Sequence, residues 1–106
     1  MVTEAELESA RREWAEGHRR LHEEAPEPGE RERLLAQVDA VAAELRRRVG
    51  GTFTLRELVE AYAGAERWSR AVVAERAPAP GWSRTLSLVE AAAFHHYARG
   101  AQDYEP

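Results

Sequence analysis

The chain has 106 residues, no cysteine and a formal net charge of −4, with 15 basic residues against 19 acidic ones. This length fits one domain over 1–106, and the missing cysteine excludes a disulfide scaffold, a thiol nucleophile and a thiolate zinc site. The acidic N-terminus and the lack of an apolar run of about 20 residues predict neither a secretory leader nor a membrane partner, so we expect a cytoplasmic protein. Every basic residue is arginine and alanine is abundant, a usage typical of a bacterial genome rich in GC.

The first predicted helix opens at Thr3. Thr3 and Glu6 have the spacing of a capping box, in which hydroxyl and carboxylate each satisfy a free backbone amide. The helix should end near Glu24, because Pro26 and Pro28 disfavour helical backbone in the residues that precede them.

The second predicted helix runs from about Glu30 to Val49. Gly50 supplies its C-cap, and the prolines between the two helices favour an antiparallel hairpin over residues 1–50. One apolar stripe follows its helical period: Leu34, Val38, Val41, Leu45 and Val49.

The third predicted helix has the clearest start in the chain. Thr54 is the N-cap and Glu57 its capping-box partner, while Phe53 precedes the cap as one half of a hydrophobic staple. Its apolar face continues to about Glu75, and Gly64 inside it predicts a kink or a break.

The fourth predicted helix starts near Ser83, after a proline-rich segment at 77–81 that cannot be helical, and ends at Gly100. It is apolar on more than one side, which predicts a central position in the fold. Residues 101–106 form a tail that should fray. The expected fold is therefore all-α: an N-terminal antiparallel helical hairpin, residues 1–50, followed by two further helices in residues 51–106, like a four-helix bundle.

The histidines are the strongest candidates for metal ligands. His18 and His22 are four residues apart on one side of the first helix, and His96 lies on the fourth helix beside His95. If those two helices pack together, the imidazoles can converge on a transition metal. The alternative, which we favour from the sequence, is that His96 is a buried, hydrogen-bonded core residue and that no metal or other cofactor is bound.

Residues 54–73 resemble a bacterial helix-turn-helix. In that arrangement Gly64 lies in the turn, and Arg67 and Arg70 lie on the recognition helix. The segment is also rich in glutamate, whereas binding a polyanion requires a positive surface. Nucleic acid is therefore not the expected partner, and DNA binding is kept as an alternative function.

Catalytic motifs are absent from the sequence, which leaves a small helical enzyme only as a further alternative to a non-enzymatic interaction protein. The hairpin offers few large apolar side chains to offset the ordering of its backbone, so it needs another surface against it. That surface is either the second half of the chain or another protein chain, and a homodimer is favoured. The candidate partner-binding residues are Leu34, Val38, Trp14 and Trp82.

Overall fold

Five helices make up the described chain. The computed structural model describes residues 2–24, 27–76 and 82–104, with the backbone alone for 82–85. The helices are α1 (Glu4–Glu24), α2 (Pro28–Val49), α3 (Leu55–Tyr62), α4 (Ala65–Arg76) and α5 (Trp82–Ala98). No strand occurs within these ranges, so the all-α prediction is confirmed. None of these helices has the length and apolarity of a membrane span over the residues described.

The ends of α1 and α2 follow the predicted signals. α1 ends at Glu24, and α2 begins at Pro28, a little before the predicted start, because proline is well suited to the first turn of a helix. α2 ends at Val49 and is capped by Gly50, which has a φ of 92° and donates its N–H to the Arg46 carbonyl at 2.8 Å. Glycine adopts that left-handed conformation without strain, so the predicted C-cap is confirmed.

The third predicted helix is two helices. Its capping box forms as predicted, with the Glu57 amide donating to the Thr54 hydroxyl and the Thr54 amide donating to the Glu57 carboxylate. The helix then breaks at Ala63 and Gly64, and α4 begins at Ala65. The break therefore divides one predicted amphipathic face between two helices. The proline-rich break predicted at 77–81 lies outside the described residues.

α5 is the central helix, as its apolar pattern predicts. α1 packs chiefly against α5, while α2 packs against α5 and α4. Two groups of core side chains meet on α5: one includes Trp14 of α1 with Phe94, and the other includes Val41 of α2 with Val89. The first two helices of the chain therefore find their main partner in the last one.

The apolar stripe of α2 is covered by its own chain. Leu34 is 7% exposed, Val38 4% and Leu45 0%, in contact with α4 and α5. The sequence favoured a stripe left open for a second copy, which is not what the structure shows, because α5 supplies the surface that the hairpin lacks. Leu35, at 37%, is the one exposed large apolar side chain among the described residues. Association through another surface stays a prediction.

The C-terminal tail docks instead of fraying over its described part. Ala101 is buried, and the Gln102 N–H donates to the Phe53 carbonyl at 2.9 Å. Asp103 accepts a hydrogen bond of 2.7 Å from the Leu55 N–H, the first free amide of α3. A carboxylate at a helix N-terminus is stabilised by these amides, so the prediction of a frayed tail is wrong for residues 101–104.

Candidate functional site

The helices α1 and α5 approach each other closely at one point. A Cβ placed on Gly17 would collide with the Cβ of Ala91, so this contact requires glycine. One turn away, the rings of Trp14 and Phe94 lie 5.3 Å apart. Since residue numbers rise along α1 as they fall along α5, the two helices run antiparallel, with their backbones in near contact.

This close approach brings all four histidines of the chain together. His18 is at the centre, with its ring centroid 4.7 Å from that of His22, 4.8 Å from that of His95 and 4.7 Å from that of His96. The centroids of His95 and His96 are 5.8 Å apart. We call these four residues the histidine cluster. The sequence left open whether the histidines meet; in the structure the ring of His18 lies beside that of His22 and beside both histidines of α5.

Burial within the histidine cluster differs from the prediction. His96 is exposed, whereas the sequence placed it in the core; His18 and His95 are half-buried and His22 is exposed. The face of α5 that carries Val89 and Ala93 is buried, but one turn further on His96 meets the ring of His18 at the surface. The core therefore ends before His96, and no partner for its nitrogens is needed within the protein.

The pKa values of two imidazoles in the histidine cluster, those of His18 and His95, are lowered, which favours their neutral form. Burial, followed by the neighbouring His96, His95 and His22 rings and by Arg99, lowers the pKa of His18 to about 4. Burial also lowers the pKa of His95. The Nδ1 atom of His18 is buried and has no hydrogen-bond partner. A neutral imidazole with an unpartnered nitrogen can act as a metal ligand.

The ring spacing of the histidine cluster can be compared with that of a zinc site. Within the described chain, no three His, Asp or Glu side chains hold their ligating atoms around one point suited to a metal ion. Zn–N bonds of about 2.0–2.1 Å in tetrahedral geometry place two imidazole centroids about 5 Å apart. The spacings around His18, from 4.7 to 4.8 Å, are close to that value. Because the ligating nitrogens do not surround a common point, rotation of the rings about χ1 and χ2 would be needed to bind one ion.

The predicted partner-binding tryptophans have different positions. Trp14 is 1% exposed and packs edge-on against Tyr62, with centroids 5.4 Å apart, so it belongs to the core. Trp82 begins α5, but its side chain lies outside the described residues. Trp14 therefore offers no surface to a partner, and the prediction for Trp82 stays a prediction.

The segment that resembles a helix-turn-helix forms α3, a turn at Ala63 and Gly64, and α4. Arg67 and Arg70 both lie on α4, the second helix of this segment, and both are exposed. Arg70 is bound to Glu66 at 3.0 Å, so an acidic side chain lies beside the candidate phosphate contact. DNA binding stays a prediction, and this surface gives it no added support.

Sequence reasoning missed a cavity beside the histidine cluster. It has a volume of about 340 Å³ and lies where α1, α5 and the C-terminal tail meet. We call it the α1–α5 cavity. Its wall includes Glu8, Arg11, Arg12, Trp14, His95 and Tyr104. Gly17 was the available signal, because a glycine inside a long helix indicates a close approach to another helix.

A buried carboxyl group on α5 was also missed. Glu90 is 6% exposed, and its carboxylate oxygen lies 2.8 Å from the Ser69 hydroxyl. That hydroxyl also lies 3.3 Å from the Glu66 carbonyl oxygen, although it has one hydrogen to donate. A protonated Glu90 would donate to Ser69 and satisfy both contacts. Burial raises the pKa of Glu90, which favours this protonated form, and the carboxylates of Glu66 and Glu13 raise the pKa further.

Comparison of the chain with protein-family models, with curated proteins and with solved structures finds no match in any of the three.

Proposed function

We propose that this protein binds one divalent transition-metal ion, with zinc as the leading candidate, through the histidine cluster. The observation that carries the proposal is the convergence of all four histidines of the chain around His18. These residues come from two helices at opposite ends of the sequence. Core packing does not require polar rings to lie together, whereas a metal site requires several ligands around one ion.

The donor set determines which metals are suitable. Imidazole nitrogen is a ligand for zinc, copper, nickel and cobalt, while magnesium and calcium require oxygen ligands. Besides the imidazoles, Arg99 is the charged residue that lowers the pKa of His18, and no carboxylate contributes to that shift. A site built on imidazole nitrogens should therefore select late transition metals against magnesium.

The positions of the four rings suggest unequal roles. His18 and His22 are one helical turn apart on α1, the spacing at which two histidines can bind the same zinc ion. His95 and His96 approach from α5, and the exposure of His22 and His96 leaves their rings free to rotate. His18 contacts all three other rings, so it is the ligand that the site can least lose.

The experiment is zinc titration of protein expressed without a histidine tag, stripped with chelator and dialysed into chelator-free buffer. We expect one equivalent of zinc to bind in calorimetry, and cobalt(II) to give the visible absorption of a nitrogen-ligated ion. Magnesium should give no heat of binding. His18→Ala should weaken zinc binding by more than the about 10–100-fold that removal of an outer-shell partner costs.

Single alanine variants of the other three histidines are the matched set. Each should weaken zinc binding, and each by less than His18→Ala, because those rings lie at the edge of the cluster. Arg33→Gln, an exposed change on α2, is the control and should leave zinc binding unchanged. Failure of the unmodified protein to bind zinc at micromolar concentration would refute the proposal, as would equal binding by His18→Ala.

A further inference from the structure

Three arginines meet on one buried carboxylate where α2 packs against α4. The side chain of Glu44 is 5% exposed, and one of its oxygens accepts hydrogen bonds of 3.0 Å from the Nε atoms of Arg47 and Arg48. Its other oxygen accepts a hydrogen bond of 3.4 Å from Arg76, the last residue of α4. We call Arg47, Arg48 and Arg76 the arginine cluster.

The arginine cluster carries more positive charge than Glu44 can neutralise. One guanidinium group is enough to pair a buried carboxylate, whereas here three positive charges meet one negative charge. The preference for cations in the last turn of a helix accounts for arginines near the ends of α2 and α4, but not for their convergence on the same side chain. The cluster is therefore a cationic patch on a chain whose net charge is −4.

Most N–H donors of the arginine cluster are not bonded to Glu44. Each guanidinium group has five donors, of which Glu44 accepts two from Arg47 and one each from the other two arginines. The side chains of Arg47, Arg48 and Arg76 are 67%, 45% and 48% exposed, so their remaining donors can reach a ligand. Arg48 also lies over the ring of Trp68, with 5.0 Å between its guanidinium carbon and the ring centroid. This stacking orients the guanidinium group and leaves its N–H edges open.

We propose that the arginine cluster binds the diphosphate group of a small phosphorylated ligand. Guanidinium groups bind phosphate oxygens through paired hydrogen bonds, and two linked phosphates offer enough oxygens to engage all three arginines at once. Because Glu44 already orders these side chains, less conformational entropy is lost when the ligand binds. No histidine belongs to this site, so the inference goes beyond the proposed metal site and can fail or succeed without it.

Calorimetric titration of metal-free protein with pyrophosphate, in a low-salt buffer without divalent ions, tests the proposal. We expect a Kd for pyrophosphate of about 1 mM or below, in keeping with the size of the ligand. Inorganic phosphate has fewer acceptor oxygens and less charge, so it should bind at least about fivefold more weakly. ADP, which carries the same group on a nucleoside, should also bind. No heat with pyrophosphate, equal affinity for pyrophosphate and inorganic phosphate, or failure of ADP to bind would overturn the proposal.

Variants of single arginines test the site. Arg48→Gln and Arg76→Gln each remove one charged donor and should weaken pyrophosphate binding by about five- to tenfold. Each variant leaves two guanidinium groups on Glu44, so the carboxylate stays paired and circular dichroism should show an unchanged helical fold. Arg33→Gln makes the same change in charge at an exposed position elsewhere on α2, and should alter the affinity by less than about twofold. If all three variants have the same effect, pyrophosphate responds to overall charge alone and the arginine cluster is not its site.

The location of the bound ligand can be read independently of affinity. The Nε–H group of Arg48 is bonded to Glu44, which slows its exchange with water, and its resonance can be assigned from its loss in Arg48→Gln. That resonance should shift when pyrophosphate is added to the unmodified protein. An unchanged Arg48 resonance at saturating pyrophosphate would place the ligand elsewhere and refute this assignment.

Discussion

Replacement of Gly17 by alanine should destabilise the protein, although alanine is the better helix former. In α1 the added methyl group would overlap the Cβ of Ala91, and no side-chain rotation can separate the two because the helical backbone fixes the position of each Cβ. Overpacking of this kind costs about 1–3 kcal/mol. The higher helix propensity of alanine returns about 0.5–1 kcal/mol. We expect a net loss of about 1–2 kcal/mol in the free energy of unfolding.

The assay is urea denaturation of metal-free protein, followed by circular dichroism. Gly29→Ala is the matched control, because Gly29 is also helical but has no atom within 4 Å of an added Cβ. That variant should be as stable as the unmodified protein or slightly more stable. Adding Ala91→Gly to Gly17→Ala removes the overlapping methyl group and should reveal a favourable coupling energy of about 1 kcal/mol or more in a double-mutant cycle.

A stable Gly17→Ala variant would refute the reasoning. If Gly17→Ala and Gly29→Ala raise stability equally, the helices do not approach closely at Ala91. The histidine cluster depends on the same approach, because His18 follows Gly17 directly on α1. We therefore expect Gly17→Ala to weaken zinc binding as well.

Three further predictions concern burial, protonation and capping. Leu34→Ala should cost about 2–4 kcal/mol of unfolding free energy, whereas Leu35→Ala, one residue further and 37% exposed, should cost less than about 1 kcal/mol in the same urea assay. Because burial raises the pKa of Glu90 above 4.5, the stability that the protonated Glu90 contributes is complete below that pH and is lost as the pH rises. Glu90→Gln can still form the hydrogen bond to Ser69, so its free energy of unfolding should increase relative to that of the unmodified protein between about pH 4 and pH 8. A difference in free energy that does not change with pH would contradict a buried, protonated Glu90. Asp103→Ala should cost about 1–2 kcal/mol by freeing the first amide of α3, and thermal unfolding that matches the unmodified protein would show that the tail is not docked.

Local signals predicted the helix boundaries well, because caps and breaks depend on few neighbouring residues. Thr54 and Glu57 form the capping box that their spacing indicates, and Gly50 ends α2. Gly64 was a clear sign of interruption, but the sequence did not decide between a kink and a full break. Whether a helix kinks or breaks at a glycine depends on the tertiary contacts of the residues that follow, which the local sequence does not show.

The partners of each helix could not be predicted in the same way. The period of Leu34 and Val38 marks a buried face, but a stripe of this kind carries no information on which helix covers it. The burial of His96 was predicted wrongly for a related reason. Its face of α5 is buried only where other helices cover it, and the sequence pattern does not show where that cover ends. The docking of Asp103 depends on a contact between residues far apart in sequence, which periodicity cannot reveal.

The pairing of α1 with α5 has a consequence for how the protein is made. α1 is synthesised before α5, so the face of α1 that packs on α5 stays uncovered until α5 has left the ribosome. The histidine cluster is divided between the same two helices. A nascent or truncated chain that lacks α5 therefore has an exposed apolar surface and at most two of the four imidazoles. Metal binding by the full cluster would then report that α1 and α5 have both been made and have packed together.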